Sequence, residues 1–312
     1  MVIETTHFTD PGCPWAYSAS PALAVLQWRY GDQLRWRTVV IGLTEDASQY
    51  LERGYTPLRQ LHGYMMFRDR FGMPFSTVPR ARISATARAC RAIVATRLQA
   101  PELEYAAFRA LQFGNFTDSV VFDEDADLLR ALRRVEGLDA EAVVGALDSP
   151  EVSAAYERDR AQARTAAGGP TEFQGKTATS DGPVRYTAPS LIFEQDGRRL
   201  EAGGFQPIEA YDVVIANLDV TLERTPPPED PRPVLERFPG GLTTQEVAAV
   251  MAGGLDAPDR TAAEQALVEL ACTGTVTRTP LGDDALWRLR RPDAPGAQAQ
   301  APGSAAAAAA VA

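Results

Sequence analysis

Apolar and polar positions change rhythm several times along the chain, and each change marks an expected element. Residues 2–9, VIETTHFT, alternate loosely and predict a strand. Residues 14–30 place Leu23, Leu26 and Tyr30 at helical spacing, and residues 34–41, LRWRTVVI, predict a second strand. A strand–helix–strand opening implies a parallel pair joined by a right-handed crossover. From about 45 to 166 the period is helical. Leu58, Leu61, Met65 and Phe71 lie on related faces of one stretch, and Ile83, Ala87, Cys90 and Val94 form a stripe on the next. Pro101 opens a third stretch carrying Tyr105, Phe108 and Phe113. Two short helices are expected over 123–135 and 139–148. Another starts with Ser149 as cap, Pro150 at the first position and Glu151 in the first turn.

The strand signal returns at 188–205, APSLIFEQDGRRLEAGGF, which reads as strand, turn at Asp196-Gly197, and strand. Residues 206–222 predict a last helix of this frame. An all-helical block, about 45–166, is therefore inserted into an α/β frame spanning 1–222. Six prolines between 223 and 240 predict a stiff linker, taken as 223–238. A small module over 239–291 follows. Thr243 with Glu246, and Thr261 with Glu264, have capping-box spacing, and each pair precedes an apolar stripe. GTVTRTPLGDDALWRL then predicts a hairpin turning near Gly282-Asp283. Two helices and a two-stranded ribbon resemble a winged helix. Residues 292–312 are rich in Ala, Gly, Pro and Gln and predict a disordered tail.

Composition narrows the function classes. Of 312 residues, 45% are hydrophobic and 23% charged, as in ordinary soluble domains. No apolar run reaches the ~18 residues of a membrane helix. The start, MVIETTHFTD, has neither the basic end nor the apolar stretch of a secretory signal, so a cytoplasmic location is expected. The formal charge of −10 argues against nucleic acid or anionic membrane as partner. The module at 239–291 has five arginines and seven acids, a net −2, so it is expected to contact protein rather than DNA. Three scattered cysteines make neither a disulfide framework nor a zinc site, and with two histidines no metal is expected.

The stretch that carries chemistry is DPGCPWAY, residues 10–17. A cysteine at a helix start faces unpaired N–H groups and the positive end of the helix dipole, both of which favour thiolate. Cys13 is therefore expected to be the most nucleophilic sulfur and the first alkylated near neutral pH. Pro14 suits the first turn, where its missing N–H costs nothing. Trp15 and Tyr17 are expected at an apolar rim. Cys90 and Cys272 are expected in cores. Arg80, Arg82, Arg88 and Arg91 are weaker candidates for a cofactor's carboxylates. His7, just before the motif, is expected to be a satisfied strand residue, the alternative being a base for Cys13.

Three features together resemble the DsbA family of thioredoxin-like proteins. They are DPGCPWAY after the first strand, the helical insertion containing FGMPF (71–75), and APSLIFEQDGRRLEAGGFQP (188–207). The resemblance covers roughly 1–222 and implies a thioredoxin-like α/β fold with an inserted helical subdomain. It implies that Cys13 is the nucleophile and Pro189 a cis-proline facing it. It further implies that Asp10 is the acidic residue often found three before the cysteine. Pro14, Trp15, Ala188 and Pro189 are then the residues that meet substrate, supported by Asp10 and Tyr17. Dithiol members carry Cys-Pro-x-Cys, whereas here the fourth position is Ala16. The branch resembled is the FrnE / 2-hydroxychromene-2-carboxylate isomerase type, in which the isomerases and the kappa-class glutathione transferases have Ser-Pro-Tyr-x-Tyr or a near variant. CPWAY shares its Ala-Tyr. A site with one thiol cannot release its own mixed disulfide. The expectation is a monothiol oxidoreductase working with a low-molecular-weight thiol, glutathione or an equivalent, on a small thiol or disulfide substrate. The alternatives are a glutathione-dependent isomerase or transferase, and a redox-fold binding or regulatory protein acting through the C-terminal module.

Overall fold

The structure, a computed structural model, describes residues 2–180, 182–253 and 256–290. The expected tail at 292–312 and Arg291 lie outside the described residues. Strand β1 (Ile3–Thr9) is followed by α1 (Pro14–Ser18), α2 (Ser20–Tyr30) and β2 (Leu34–Val40). The single helix expected over 14–30 is broken at Ala19. Pro21 lacks the N–H that would bond the carbonyl of Tyr17, so α2 starts afresh with Pro21 in its first turn.

The insertion contains α3 (Ser48–Leu51), α4 (Pro57–Phe71), α5 (Ala87–Gln99), α6 (Glu104–Thr117), α7 (Asp125–Leu132), α8 (Ala140–Gly145) and α9 (Pro150–Ala163). Ser149 caps α9 as expected, accepting from the Val152 amide. Gly72 ends α4 at φ 73°, and a Cβ there would meet the Gln245 side chain at 2.3 Å. A short helix α10 (Pro170–Phe173) and a two-residue ladder of β3 (Thr177–Ala178) with β4 (Arg185–Tyr186) follow, neither of which has a clear period in the sequence. Strands β5 (Ser190–Gln195) and β6 (Arg198–Ala202) then turn through Asp196 and Gly197, both at positive φ, before α11 (Ile208–Leu218).

The main sheet has the order β2-β1-β5-β6, with β1 and β2 parallel and the other pairs antiparallel. Alternation along the strands feeds two cores. Ile3, Leu191 and Phe193 pack on α2 and α11 with Leu23, Leu26, Tyr211 and Ile215. Phe8, Val39 and Ile192 face the other way, toward Cys13, Ala16 and Ala163. The bundle of α5 to α9 has its own core around Ile93, Phe108, Leu111 and Tyr156. This is the mixed α/β, thioredoxin-like architecture with a helical insertion that the sequence implied.

The proline-rich stretch is not a free spacer. Residues Pro231–Arg237 form α12, with the Asp230 carboxylate capping the Arg232 amide and Pro231 in the first turn. Val234 and Leu235 are buried in the C-terminal core, which therefore begins before residue 239. Then come β7 (Leu242–Thr243), α13 (Thr244–Met251), α14 (Arg260–Cys272), β8 (Val276–Leu281) and β9 (Asp284–Leu289), with sheet order β7-β9-β8. The capping box of Thr243 and Glu246 is formed in full. The second expected box is not. Asp259 caps α14 by accepting from Ala262 N, which places Thr261 inside the helix.

This C-terminal unit is docked on the frame. Ala24 and Val25 of α2 share its core with Val247, Leu267 and Trp287. Leu281 and Leu286 join Tyr17, Tyr64, Phe75 and Phe116 in a second cluster. Between them, Arg109 of α6 pairs with Glu246 at 2.7 Å and is nearly inaccessible, as is its partner. The Phe75 amide donates to Asp283 at 3.0 Å.

Candidate active site

The end of β1 delivers Asp10 into the interior, where its carboxylate organises the turn into α1. Oδ1 accepts from the Gly12 amide at 2.8 Å, and Oδ2 from the Leu43 amide at 2.9 Å and the Thr86 hydroxyl at 3.0 Å. The Cys90 thiol lies 3.5 Å from Oδ2, and the Asp10 carbonyl accepts from the Cys13 amide. Gly12 is required by this closure, since a Cβ would lie 2.5 Å from the Thr86 methyl. Burial pushes the Asp10 carboxyl above its ordinary range, and these hydrogen bonds pull it only partway back.

Cys13 is the N-cap of α1, with extended backbone and no side-chain cap. Its thiol donates to the Ala188 carbonyl at 3.2 Å, and the Ala188-Pro189 peptide bond is cis. Two segments 175 residues apart thus meet at the sulfur, as the resemblance implied. Burial opposes the thiolate that the helix start alone favours. Cys13 is only 7% exposed, and burial pushes its pKa up to about 12. The backbone N–H groups of Ala16 and Trp15 and the Arg185 charge act the other way, while Asp10 adds to the rise. Desolvation can move a fully buried group by about 3–5 units. A helix end contributes on the order of 1 kcal/mol, under one unit. Burial therefore wins.

Trp15 is 39% exposed and meets Phe67, Phe71 and Phe205 edge-on, so the apolar rim exists. Tyr17 does not belong to it. It is fully buried, stacks on Phe116 and donates its hydroxyl to the Pro74 carbonyl at 2.9 Å. Tyr17 packs in a cluster with Tyr64, Phe75 and Phe116, separate from the one that holds Cys13, and anchors the FGMPF segment. Its phenol, the feature shared with the isomerase branch, is thereby removed from the site. Ala16 is buried beside Cys13 in the same cluster. Cys90 is fully buried in α5, and its pKa is pushed well up by burial first and Asp10 second. Cys272, expected in a core, is exposed at the end of α14, one residue past the stripe of Leu267, Leu270 and Ala271 that packs on the core.

The four candidate arginines do not converge on the sulfur. Arg80 is held by Tyr64 and the Asn115 carbonyl, Arg82 by Asp123 and Glu124, Arg88 by Asp125 and Asp148, and Arg91 by Ser153. His7 sits on β1 edge-on to Phe108 and not beside Cys13. It is not the satisfied strand histidine expected, since Nε2 has no hydrogen-bond partner among the described residues. Burial lowers its pKa to about 4. Two residues escaped the sequence reading. Arg185, buried on β4, supplies the positive charge that bears on Cys13, and its only signal was its place three before Ala188. Tyr50 of α3 lies close enough to Asp10 and Cys13 for both to raise its pKa, after burial. Nothing local marks it, because α3 reaches the thiol only through the tertiary fold.

Comparison with known proteins agrees with this geometry. Residues 5–186 match the family model of the DSBA-like thioredoxin domain. The ClpXP adapter protein SpxH of Shouchella clausii is 25% identical over 255 residues, 80% of this chain and 77% of the relative. Among solved structures, a candidate protein disulfide isomerase from Nitrosomonas europaea superposes with a TM-score of 0.54 at 18% identity, covering 70% of this chain and 97% of its own. A candidate DsbA oxidoreductase from Streptomyces coelicolor has a TM-score of 0.52 at 19% identity, covering 72% and 92%. These two likenesses establish the fold.

Proposed function

The chain belongs to the DSBA-like thioredoxin family, and on that premise we propose that it is a cytoplasmic thiol-disulfide or thiol-transfer oxidoreductase with one working thiol, Cys13. Its co-reactant is a low-molecular-weight thiol, glutathione or an equivalent, which reducing compartments supply. The observation that carries this reading is the Cys13 sulfur at a helix start, bonded to the carbonyl that precedes cis Pro189. In the forward step Cys13 loses its proton and attacks one sulfur of a small disulfide. The S–S bond breaks, the other half leaves as a thiol carrying that proton, and a mixed disulfide remains on Cys13. Ala16 cannot resolve it, so a second thiol attacks, a new small disulfide departs and Cys13 is restored. The sum is exchange of one thiol for another with no net redox change. Because burial raises the Cys13 pKa, substrate binding is expected to open the site to water or to a base before attack.

The test is Ala16→Cys. Positions 13 and 16 lie one turn apart and share a cluster, as the two thiols of a Cys-x-x-Cys site do. The variant is expected to close a disulfide under mild oxidant, lose two mass units and gain reduction of protein disulfides. Two free thiols in the oxidised variant would remove the thioredoxin-type site assignment.

A second reading is a binding or regulatory protein of the adapter kind, without turnover. Two observations favour it: the buried Cys13, whose pKa burial raises, and similarity to an adapter protein over a length that must extend past residue 222. In this reading the C-terminal unit is a winged-helix-like module, with helices α12, α13 and α14 and the sheet β7-β9-β8, and it contributes the protein contact. Cys13→Ser separates the two readings, since it ends thiol exchange and spares an adapter function.

A further inference from the structure

Exposed large apolar side chains are unevenly distributed among the described residues. Of fourteen, six fall between residues 51 and 78: Leu51, Tyr55, Leu58, Met65, Met66 and Val78. Isolated exposed apolar residues need no account, but a cluster on a monomer surface does. On α4 the outer face carries Leu58, Met65 and Met66, opposite the inner face where Tyr64 and Phe67 are buried. Val78 borders the same helix, in a cleft with Pro57 and Leu61. Methionines adapt their shape to a partner and are used where a surface must bind.

The charge around this patch is opposite to that of the whole protein. Residues 51–70 hold four arginines against Glu52 and Asp69, a net +2 in a chain of −10. Arg68 pairs with Asp69 and Asp283. Arg53 and Arg59 donate only to backbone carbonyls, and Arg70 lies over the Phe71 ring, so these three have no carboxylate partner among the described residues. The inner face of the same helix holds Trp15, next to the nucleophile, through Phe67 and Phe71.

We propose that the outer face of α4, with α3, is a docking surface for an acidic amphipathic segment of a partner protein, whose apolar residues cover Leu58, Met65 and Met66 and whose carboxylates meet Arg59 and Arg70. The proposal deepens the thiol-exchange reading by naming the partner that is brought beside Cys13, and it rests on that reading only for its consequence, since docking itself needs no thiol. The test uses full-length Cys13→Ser protein and two fluorescein-labelled helical peptides. Both carry the same leucine face, one with glutamates and the other with lysines on the polar face. Fluorescence anisotropy should give at least tenfold tighter binding for the glutamate peptide. Arg59→Glu with Arg70→Glu should reverse that preference, and Met65→Ser with Met66→Ser should weaken both peptides about tenfold with the melting temperature unchanged. Equal affinity for the two peptides, or affinity that survives the patch variants, would overturn the proposal. So would a concentration-dependent dimer abolished by the same variants, because the occupant would then be a second copy of this chain. Binding that persists while wild-type Cys13 forms no mixed disulfide would sink the exchange reading and leave the docking surface standing.

Discussion

Two helix starts in this molecule follow the same rule and are filled in different ways. At α13 the Thr243 hydroxyl accepts from the Glu246 amide, and Glu246 returns a bond to the Thr243 amide. Glu246 also pairs with Arg109 across to the insertion. At α1 the cap position holds Cys13, whose side chain makes no capping hydrogen bond and donates to Ala188 O. The first start is saturated and joins two parts of the fold. The second leaves its N–H groups to a sulfur whose pKa burial raises. The contrast is between a helix end that supports the fold and one where a local rule is relaxed, as expected of the proposed site.

The largest expected effect concerns that sulfur. A pKa near 12 leaves a thiolate fraction about a thousandfold below that of an ordinary thiol at neutral pH. Iodoacetamide mapping should therefore label exposed Cys272 first. Cys13 labelling should rise about tenfold per pH unit through pH 10. A Cys13 rate that levels off by pH 7 would mean that the helix start outweighs burial.

The saturated start should be the more fragile one. Glu246→Gln leaves Arg109 charged and buried and should cost about 3–5 kcal/mol in urea unfolding. Arg109→Met with Glu246→Leu should recover much of that. A double variant as unstable as the single one would assign the cost to lost shape and not to an unpaired charge.

His7 extends the burial argument along β1. Its folded pKa is lowered to about 4 from 6.5, so the unfolded chain binds the proton first. The stability it contributes is complete above pH 6.5 and is lost as pH falls toward 4. The loss should reach about 2 kcal/mol between pH 6.5 and 5. His7→Leu should flatten that limb of the denaturant midpoint against pH, and an unchanged limb would show that His7 is not the group responsible.

The smallest effect compares the caps directly. Thr243→Ala should cost about 1 kcal/mol. Cys13→Ser introduces a capping hydroxyl and should change stability by less than that while abolishing adduct formation. Equal losses at the two positions would erase the distinction between them.

Much of this was legible in the sequence because period and punctuation report local structure. The β1-α2-β2 opening, the Asp196-Gly197 turn, the Ser149 cap and the Thr243 box all form where their residues are. The meeting of Cys13 with Ala188 and Pro189 came from the order of elements and the resemblance. What escaped was set by tertiary packing. The prolines at 231 and 233 read as linker until Val234 and Leu235 found a core. Tyr17 looked like a rim residue until Phe116 covered it. The charge state of Cys13 depends on α3 and β4 closing around it, and no feature of residues 10–17 encodes that closure.

The proposed chemistry requires that Cys13 exchange with a small thiol and be unable to release the product alone. The most direct measurement is intact mass of the Cys272→Ser protein after incubation with oxidised glutathione. One glutathionyl group per chain is expected, mapped to Cys13 and stable until an outside thiol is added. No adduct on Cys13, or an adduct that disappears without added thiol, would contradict it.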